Sequence, residues 1–149
     1  MDTYGRRLTV DLPFDTAVEE LVAALNANGV AILGRNDMRG FLDRYTQHDF
    51  RRYALLEVAM PGVVLEALRD DLTVGAVLPT TIAVFELADG ETAVVVSEPF
   101  AALGSDAYWR RTHPHLAALA DLTCDRLGRA LMELEEAGRT AAALRALVS

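Results

Sequence analysis

TTIAVFELADGETAVVVS, residues 80–97, is the stretch that decides the fold. Two segments rich in β-branched and apolar residues, 80–87 and 91–97, flank Ala88-Asp89-Gly90, and an Asp-Gly pair between such segments is typical of a β-hairpin. A strand with one face in water alternates apolar and polar residues, whereas residues 82–87 and 93–96 are apolar on both sides. The stretch therefore predicts two antiparallel strands of a sheet that is shielded from water on both faces.

Upstream of this hairpin, hydrophobic periodicity and turn residues indicate further strands and helices. The predicted elements are a strand at 7–12, a helix that starts near Thr16 and stops at Gly29, a strand at 30–33, a loop with a helical turn at 36–47, a strand at 51–60, a helix at 61–70 and a strand at 74–78. Thr16 and Glu19 fit a capping box for the first helix, with Asp15 as the alternative cap.

Downstream, a loop is predicted over residues 99–106, and a long helix begins at Pro114 and is interrupted at Gly138. No Pro/Gly/Ser-rich linker divides the chain, so we expect a single domain over residues 1–149, with a core at about 7–136 and a C-terminal extension at 138–149. Strands followed by a helical final third predict an α+β fold, a mostly antiparallel sheet with helices on one face.

Helices on one face leave the other apolar sheet face to be covered by something else. The pattern favours a homodimer that packs this face against a second copy, with a ligand cleft or a cover of loops as the alternatives. Arg51, Tyr53 and Glu57 share one side of their strand and fit a polar focus in a pocket, the surface of an edge strand or an ion pair in a dimer seam, of which the seam is favoured. Aspartate at Tyr53 or Val84 is then expected to shift the protein toward a monomer or toward insolubility.

Composition excludes several function classes. The net charge of −8 repels the phosphates of nucleic acid and of anionic membranes. All 14 cationic residues are arginine, so no lysine is present to form a Schiff base or a P-loop. A single cysteine precludes an internal disulfide and fits a reducing cytoplasm, and neither a signal core nor an apolar run of membrane-spanning length is found.

Polar residues suited to chemistry are few. His48 and Asp49 have the side chains that a general base and its orienting carboxylate require, and the alternative is that both are solvated loop residues. His113 and His115 are too few for a zinc site, so no metal and no cofactor is predicted. Cys124 is expected to be a packing thiol, because nothing basic adjoins it in its helix.

Four short motifs resemble a bacterial and archaeal family. The motifs are Leu8-Thr9-Val10-Asp11-Leu12-Pro13-Phe14-Asp15, Asp49-Phe50-Arg51-Arg52-Tyr53, Leu78-Pro79 and His113-Pro114. Over roughly residues 7–136 the chain resembles the Domain of Unknown Function 302 family. This resemblance implies a fold similar to TATA-binding protein, in the order β-α-β(4)-α, and implies no established activity. It also implies cysteines near Ala59 or Met60 and at Thr80, which this chain lacks.

The sequence thus predicts a small cytoplasmic homodimer with an accessory role, binding a small apolar molecule or a protein partner. The alternative is an enzyme that acts on a small organic substrate in a mainly apolar pocket. The candidate ligand-binding or working residues in either case are His48, Asp49, Arg52, Tyr53 and Glu57. Convergence of three of them in one cleft is the feature that favours the enzyme.

Overall fold

The computed structural model describes residues 4–148; residues 1–3 and Ser149, the ends of the predicted domain, lie outside the described part. The strands are β1 (Arg6–Val10), β2 (Ala31–Asp37), β3 (Tyr53–Ala59), β4 (Thr80–Ala88) and β5 (Glu91–Ser97). The α-helices are α1 (Phe14–Ala27), α2 (Met38–Thr46), α3 (Pro61–Asp70), α4 (Pro99–Leu103), α5 (Ala107–Thr112) and α6 (Pro114–Val148), and a 3₁₀ helix spans Leu72–Val77.

The five strands form one antiparallel sheet in the order β1-β5-β4-β3-β2. The α+β prediction is confirmed, and so is the order β-α-β(4)-α once the shorter helices between strands are taken as insertions. The β4–β5 hairpin turns as predicted at Gly90, whose φ of 78° favours glycine. Because β1 and β2 are the two edges, α1 crosses the full width of the sheet to connect them.

One side of the sheet carries the main core. Even-numbered strand residues such as Leu56, Ile82 and Val94 are fully buried there, together with Leu21 of α1 and Leu127 of α6. Burial of each such side chain contributes about 1.5–3 kcal/mol. We call this side the helix side, because the apolar stripes of α1 and α6 both pack against it.

A second buried cluster lies beside the first. It joins α3, the 3₁₀ helix, α4 and the beginning of α6, through Val63, Ala67, Val74, Leu78, Phe100, Leu116 and Ala120. Met60, at the end of β3, packs against both clusters, and α6 contributes residues to both. The two clusters therefore belong to one continuous body.

Several predicted elements are wrong. The predicted strand at 74–78 is mostly the 3₁₀ helix: Val74 and Leu78 are buried against α3, which accounts for the apolar run without a strand. The predicted loop at 36–47 contains the end of β2 and all of α2, and the loop at 99–106 begins with α4. These helices have nine and five residues, and helices so short are marginally stable alone, so their formation depends on tertiary contacts and local caps.

Two helix ends also differ from prediction. The first helix begins at Phe14 with Pro13 at the cap position and no capping side chain, so the capping box of Thr16 and Glu19 is wrong. Gly138 does not interrupt α6, which continues to Val148. A Cβ at Gly138 would lie 3.3 Å from the Cβ of Val10, so the glycine lets α6 pack closely against β1.

Candidate functional site

The helix-free side of the sheet, here called the open face, is built by the odd-numbered residues of β1, β3, β4 and β5 and, because β2 has a bulge, by Gly34 and Asn36 of β2. Its members on the other four strands include Arg7, Thr9, Tyr53, Leu55, Glu57, Thr81, Ala83, Phe85, Ala93 and Val95. Leu55, Ala83 and Val95 lie side by side on β3, β4 and β5 and form an apolar centre. These three are only partly buried, whereas their helix-side neighbours are fully buried. The open face is therefore an apolar surface incompletely covered by its own chain.

An aromatic row borders this apolar centre. The rings of Tyr53 and Phe85 stack with centroids 5.2 Å apart, and Phe50 lies 6.5 Å from Tyr53. The guanidinium of Arg7 sits 5.9 Å from the centroid of the Phe85 ring, within reach of a cation–π contact. Stacking restricts the Tyr53 and Phe85 rings, so this pair is a preorganised part of the surface.

Val84 is not part of the open face. The sequence predicts that Val84, like Tyr53, belongs to the surface that self-associates. In the structure Val84 lies on the helix side and is fully buried. Aspartate at Val84 would place an unpaired charge in the core, so that probe is wrong. Alternation alone does not say which residues face the helices when both faces are apolar.

A cavity of about 290 Å³ lies at the end of the sheet where α1 begins. It is lined by Phe14, Arg35, Asp37, Arg39, Arg52, Tyr53 and Ala54. The first turn of α1, the end of β2 and the start of β3 supply most of this lining, because antiparallel β2 and β3 bring residues 35–37 beside residues 52–54. We call it the arginine-lined cavity.

Arg52 is held in a fixed position within this cavity. Its guanidinium makes two hydrogen bonds to the Asp15 carboxylate, one of 2.8 Å from Nη1 to Oδ2, and lies 4.7 Å from the centroid of the Phe14 ring. These hydrogen bonds lower the pKa of Asp15, and the nearby charge of Arg35 adds to the effect. The same pairing raises the pKa of Arg52, so the site stays ionised at neutral pH.

Only some of the predicted site residues come together. Arg52 and Tyr53 both line the arginine-lined cavity. Asp49 accepts a 3.1 Å hydrogen bond from Arg39, which lines the same cavity. Of the two remaining candidates, His48 directs Nδ1 to the backbone oxygen of Thr46 at 2.9 Å, and Glu57 lies on the open face.

Sequence reasoning missed Arg35 and Arg39. Neither belongs to a recognisable motif, and their side chains approach Arg52 only through the pairing of β2 with β3 and the position of α2. The one available signal is the density of arginine between residues 35 and 52, which has five of the 14 in the chain. Density by itself does not distinguish a shared cavity from a solvated surface.

The remaining candidates are structural or exposed. His113 stacks on Trp109 at 5.5 Å, and His115 lies 3.8 Å from a carboxylate oxygen of Glu66. Among residues 4–148, no three His, Cys, Asp or Glu side chains are grouped as metal ligands would be. The prediction that Cys124 is a packing thiol is wrong, because this residue is exposed and Thr123 and Leu127 take the buried positions of α6.

Comparison with known families agrees with this architecture. A family model described as domain of unknown function DUF302 matches residues 6–134. The chain belongs to the DUF302 family. The match ends within α6, so the last part of that helix lies beyond the DUF302 region.

A solved structure supports the same fold. The crystal structure of an uncharacterized conserved DUF302 protein from Bacillus stearothermophilus superimposes with a TM-score of 0.71 at 22% identity, over 89% of this chain and 99% of that one. Comparison with curated proteins finds no match. The likeness of DUF302 to TATA-binding protein stays a prediction. Within the described chain, no helix combines the length and apolarity that a membrane crossing requires.

Proposed function

We propose that two copies of this chain pack their open faces together and that the dimer is an accessory binding protein of the cytoplasm. Its partner would be a small apolar molecule or another protein, as the sequence suggests. The observation that carries the proposal is the apolar centre formed by Leu55, Ala83 and Val95, which its own chain covers only in part. Apolar area of this kind contributes to association when a second surface excludes water from it.

The size of the open face suits a second copy. Five strands spaced about 4.8 Å apart, each rising about 3.3 Å per residue, give a face roughly 24 Å by 20 Å. Protruding side chains raise the accessible area above the flat area of roughly 500 Å², towards the ~800 Å² that each partner contributes to a standard interface. Two sheets packed face to face also form a familiar β-sandwich arrangement about 10 Å thick.

Charge on the open face favours self-pairing. Arg7 on β1 and Glu57 on β3 lie on opposite sides of the apolar centre. A two-fold axis that places β1 of one copy over β3 of the other brings each Arg7 towards the Glu57 of its partner copy, so the contact forms twice. Opposite charges at the rim of an apolar interface select the register and orientation of the two copies.

The arrangement of polar groups supports binding over catalysis. Of the five candidates, Arg52 and Tyr53 line one cavity and Asp49 reaches it only through Arg39. His48 and Glu57 lie elsewhere, on a loop and on the open face. A catalytic site needs its acid, base or nucleophile within hydrogen-bond reach of one another, so the geometry favours the accessory role.

Leu55→Asp tests the interface directly. A charge at the apolar centre should make dimer dissociation much easier, and light scattering coupled to gel filtration at micromolar concentration should shift from twice the chain mass to that of one chain. Leu72→Asp, the same substitution at a residue that is 82% exposed in the 3₁₀ helix, is the matched control and should stay dimeric. A wild-type monomer would overturn the proposal, and native mass spectrometry would then show whether a bound small molecule covers the face instead.

A charge exchange keeps the test informative if Leu55→Asp does not fold. Arg7→Glu and Glu57→Arg each place like charges against each other twice in the dimer and should weaken it. The double variant, Arg7→Glu with Glu57→Arg, restores opposite charges and should recover the dimer. Equal dissociation constants for all four proteins would contradict the proposed two-fold arrangement.

A further inference from the structure

Three of the 14 arginines of an otherwise acidic chain line one cavity. Arg35, Arg39 and Arg52 share the arginine-lined cavity of about 290 Å³ with a single carboxylate, that of Asp37. A chain with a net charge of −8 has no general reason to concentrate guanidinium groups. Guanidinium presents paired N–H donors that match the two oxygens of a carboxylate or phosphate group, so the concentration points to an anion.

Arg35 is the arginine with unused donors. It lies on edge strand β2 opposite Leu56, which places it on the helix side of the sheet, beside α1. Within residues 4–148 its guanidinium makes no hydrogen bond and no ion pair, although its charge reaches Asp15. An exposed cation on a cavity wall with five free N–H donors is available to a ligand.

The other two arginines are held in place by aspartates outside the cavity lining. Asp15 and the ring of Phe14 fix Arg52, and Asp49 orients Arg39 at 3.1 Å. Each ion pair uses only some of the five N–H groups of its guanidinium, so the remaining donors stay available to a ligand. The uncapped first turn of α1 adds the positive end of a helix dipole at the same place.

We infer that the arginine-lined cavity binds the oxyanion group, phosphate or carboxylate, of a small polar molecule, with Arg35 as the principal contact and Arg39 and Arg52 beside it. The volume is at the lower limit of the roughly 300–1,000 Å³ of ligand pockets, so it accommodates a head group or a very small metabolite. Tyr53 belongs both to this site and to the open face, but the three arginines lie outside the open face, and the inference does not depend on the proposed dimer.

Titration with inorganic phosphate and, separately, with acetate tests the inference. We expect saturable shifts of the arginine Nε–Hε resonances in NMR spectra for at least one of the two anions, and the tighter of them identifies the head group. Sodium chloride at the same ionic strength is the reference, because simple screening affects all exposed cations alike. No saturable shift with either anion, or the same shift with chloride, would overturn the site.

Paired arginine variants locate the binding. Arg35→Gln should lower the affinity for the anion by roughly tenfold or more, because the substitution removes the charge-assisted hydrogen-bond donors. Arg44→Gln, an exposed arginine of α2 outside the cavity lining, removes the same charge and should leave affinity within about twofold. Equal losses in the two variants would show that long-range charge alone attracts the anion and would contradict a site at Arg35.

Asp37→Asn supplies a gain-of-binding test. Asp37 lines the cavity and also accepts a hydrogen bond from the backbone N–H of Gly40 at the start of α2. Asparagine caps a helix as well as aspartate does, so the substitution removes a repulsive charge and keeps the fold. Affinity for the anion should rise several-fold; unchanged or weaker binding would be inconsistent with an anion beside Asp37.

Discussion

Asp15 shows how one side chain serves the fold and the site together. It occupies the first turn of α1 and holds Arg52, whose hydrogen bonds lower the pKa of its carboxyl group. A carboxyl group with a lowered pKa in the folded chain stabilises the protein above its unfolded pKa of about 3.9, and this contribution is lost as the pH falls through the lowered value. The ion pair therefore contributes stability at neutral pH that is lost in acid.

Asp15→Asn should reveal that dependence. The free energy of unfolding should be lower than that of the wild type at neutral pH, and the difference should shrink as the pH falls below about 4. Urea titrations of both proteins at a series of pH values from neutral to acid measure this difference in the free energy of unfolding. Asp70→Asn, at an exposed carboxylate without an ion pair among the described residues, is the control. A difference that stays constant across this range would exclude the ion pair as its source.

At the residue scale, the sequence singles out individual candidate residues, but it does not show which other side chains they approach in the fold. Arg52 and Tyr53, two of the five candidates, line one cavity because they are neighbours at the start of β3, and their role in binding stays a prediction. Arg35 was missed, since its approach to Arg52 depends on the register of β2 against β3 rather than on any local pattern. The exposure of Cys124 was missed because consecutive residues of a helix point about 100° apart, so the buried Thr123 and the exposed Cys124 are direct neighbours in the sequence.

At the element scale, α2 has little support from the core. None of its nine residues is buried, and its rings Phe41 and Tyr45 are 51% and 67% exposed while they contact each other at 5.1 Å. A helix this short is marginally stable by itself, so its persistence depends on the Asp37 cap and on the Arg39–Asp49 ion pair.

Hydrogen exchange should distinguish α2 from α1. We expect the amides of α2 to exchange through local opening orders of magnitude faster than those of α1, which buries six side chains including Leu21. Native-state exchange followed by NMR provides the comparison within a single sample. Protection of α2 equal to that of α1 would mean that another surface, such as a partner copy, covers Phe41 and Tyr45.

At the element scale, strong patterns were reliable and weak ones were not. The β4–β5 hairpin and helix 61–70 were correct because a turn signal or a proline marks their ends. The segment 74–78 was wrong because a short apolar run fits a strand and a buried 3₁₀ helix equally well. The identity of the helix-side residues could not be predicted, since Val84 and Phe85 are both apolar and only packing distinguishes them.

For the whole molecule, the two buried clusters should unfold together. Met60 packs in both, and α6 supplies Leu116 to one and Leu134 to the other, so disruption of either cluster exposes apolar surface in both. Urea unfolding followed by the fluorescence of Trp109, which packs against the second cluster, should coincide with unfolding followed by far-UV circular dichroism. Separate midpoints at equal protein concentration would show that the second cluster is an independent unit.

The pairing of β1 with β5 has a consequence for the order in which the chain assembles on the ribosome. The hydroxyl of Thr92 donates to the backbone oxygen of Leu12 across 80 residues, so the first strand leaves the exit tunnel long before its neighbour exists. Strands β2 to β5 are consecutive and form a meander as they emerge, whereas β1 and α1 close onto it later. Helix α6 is translated last, and until its release Leu56, Val94 and the other helix-side residues remain a target for chaperones.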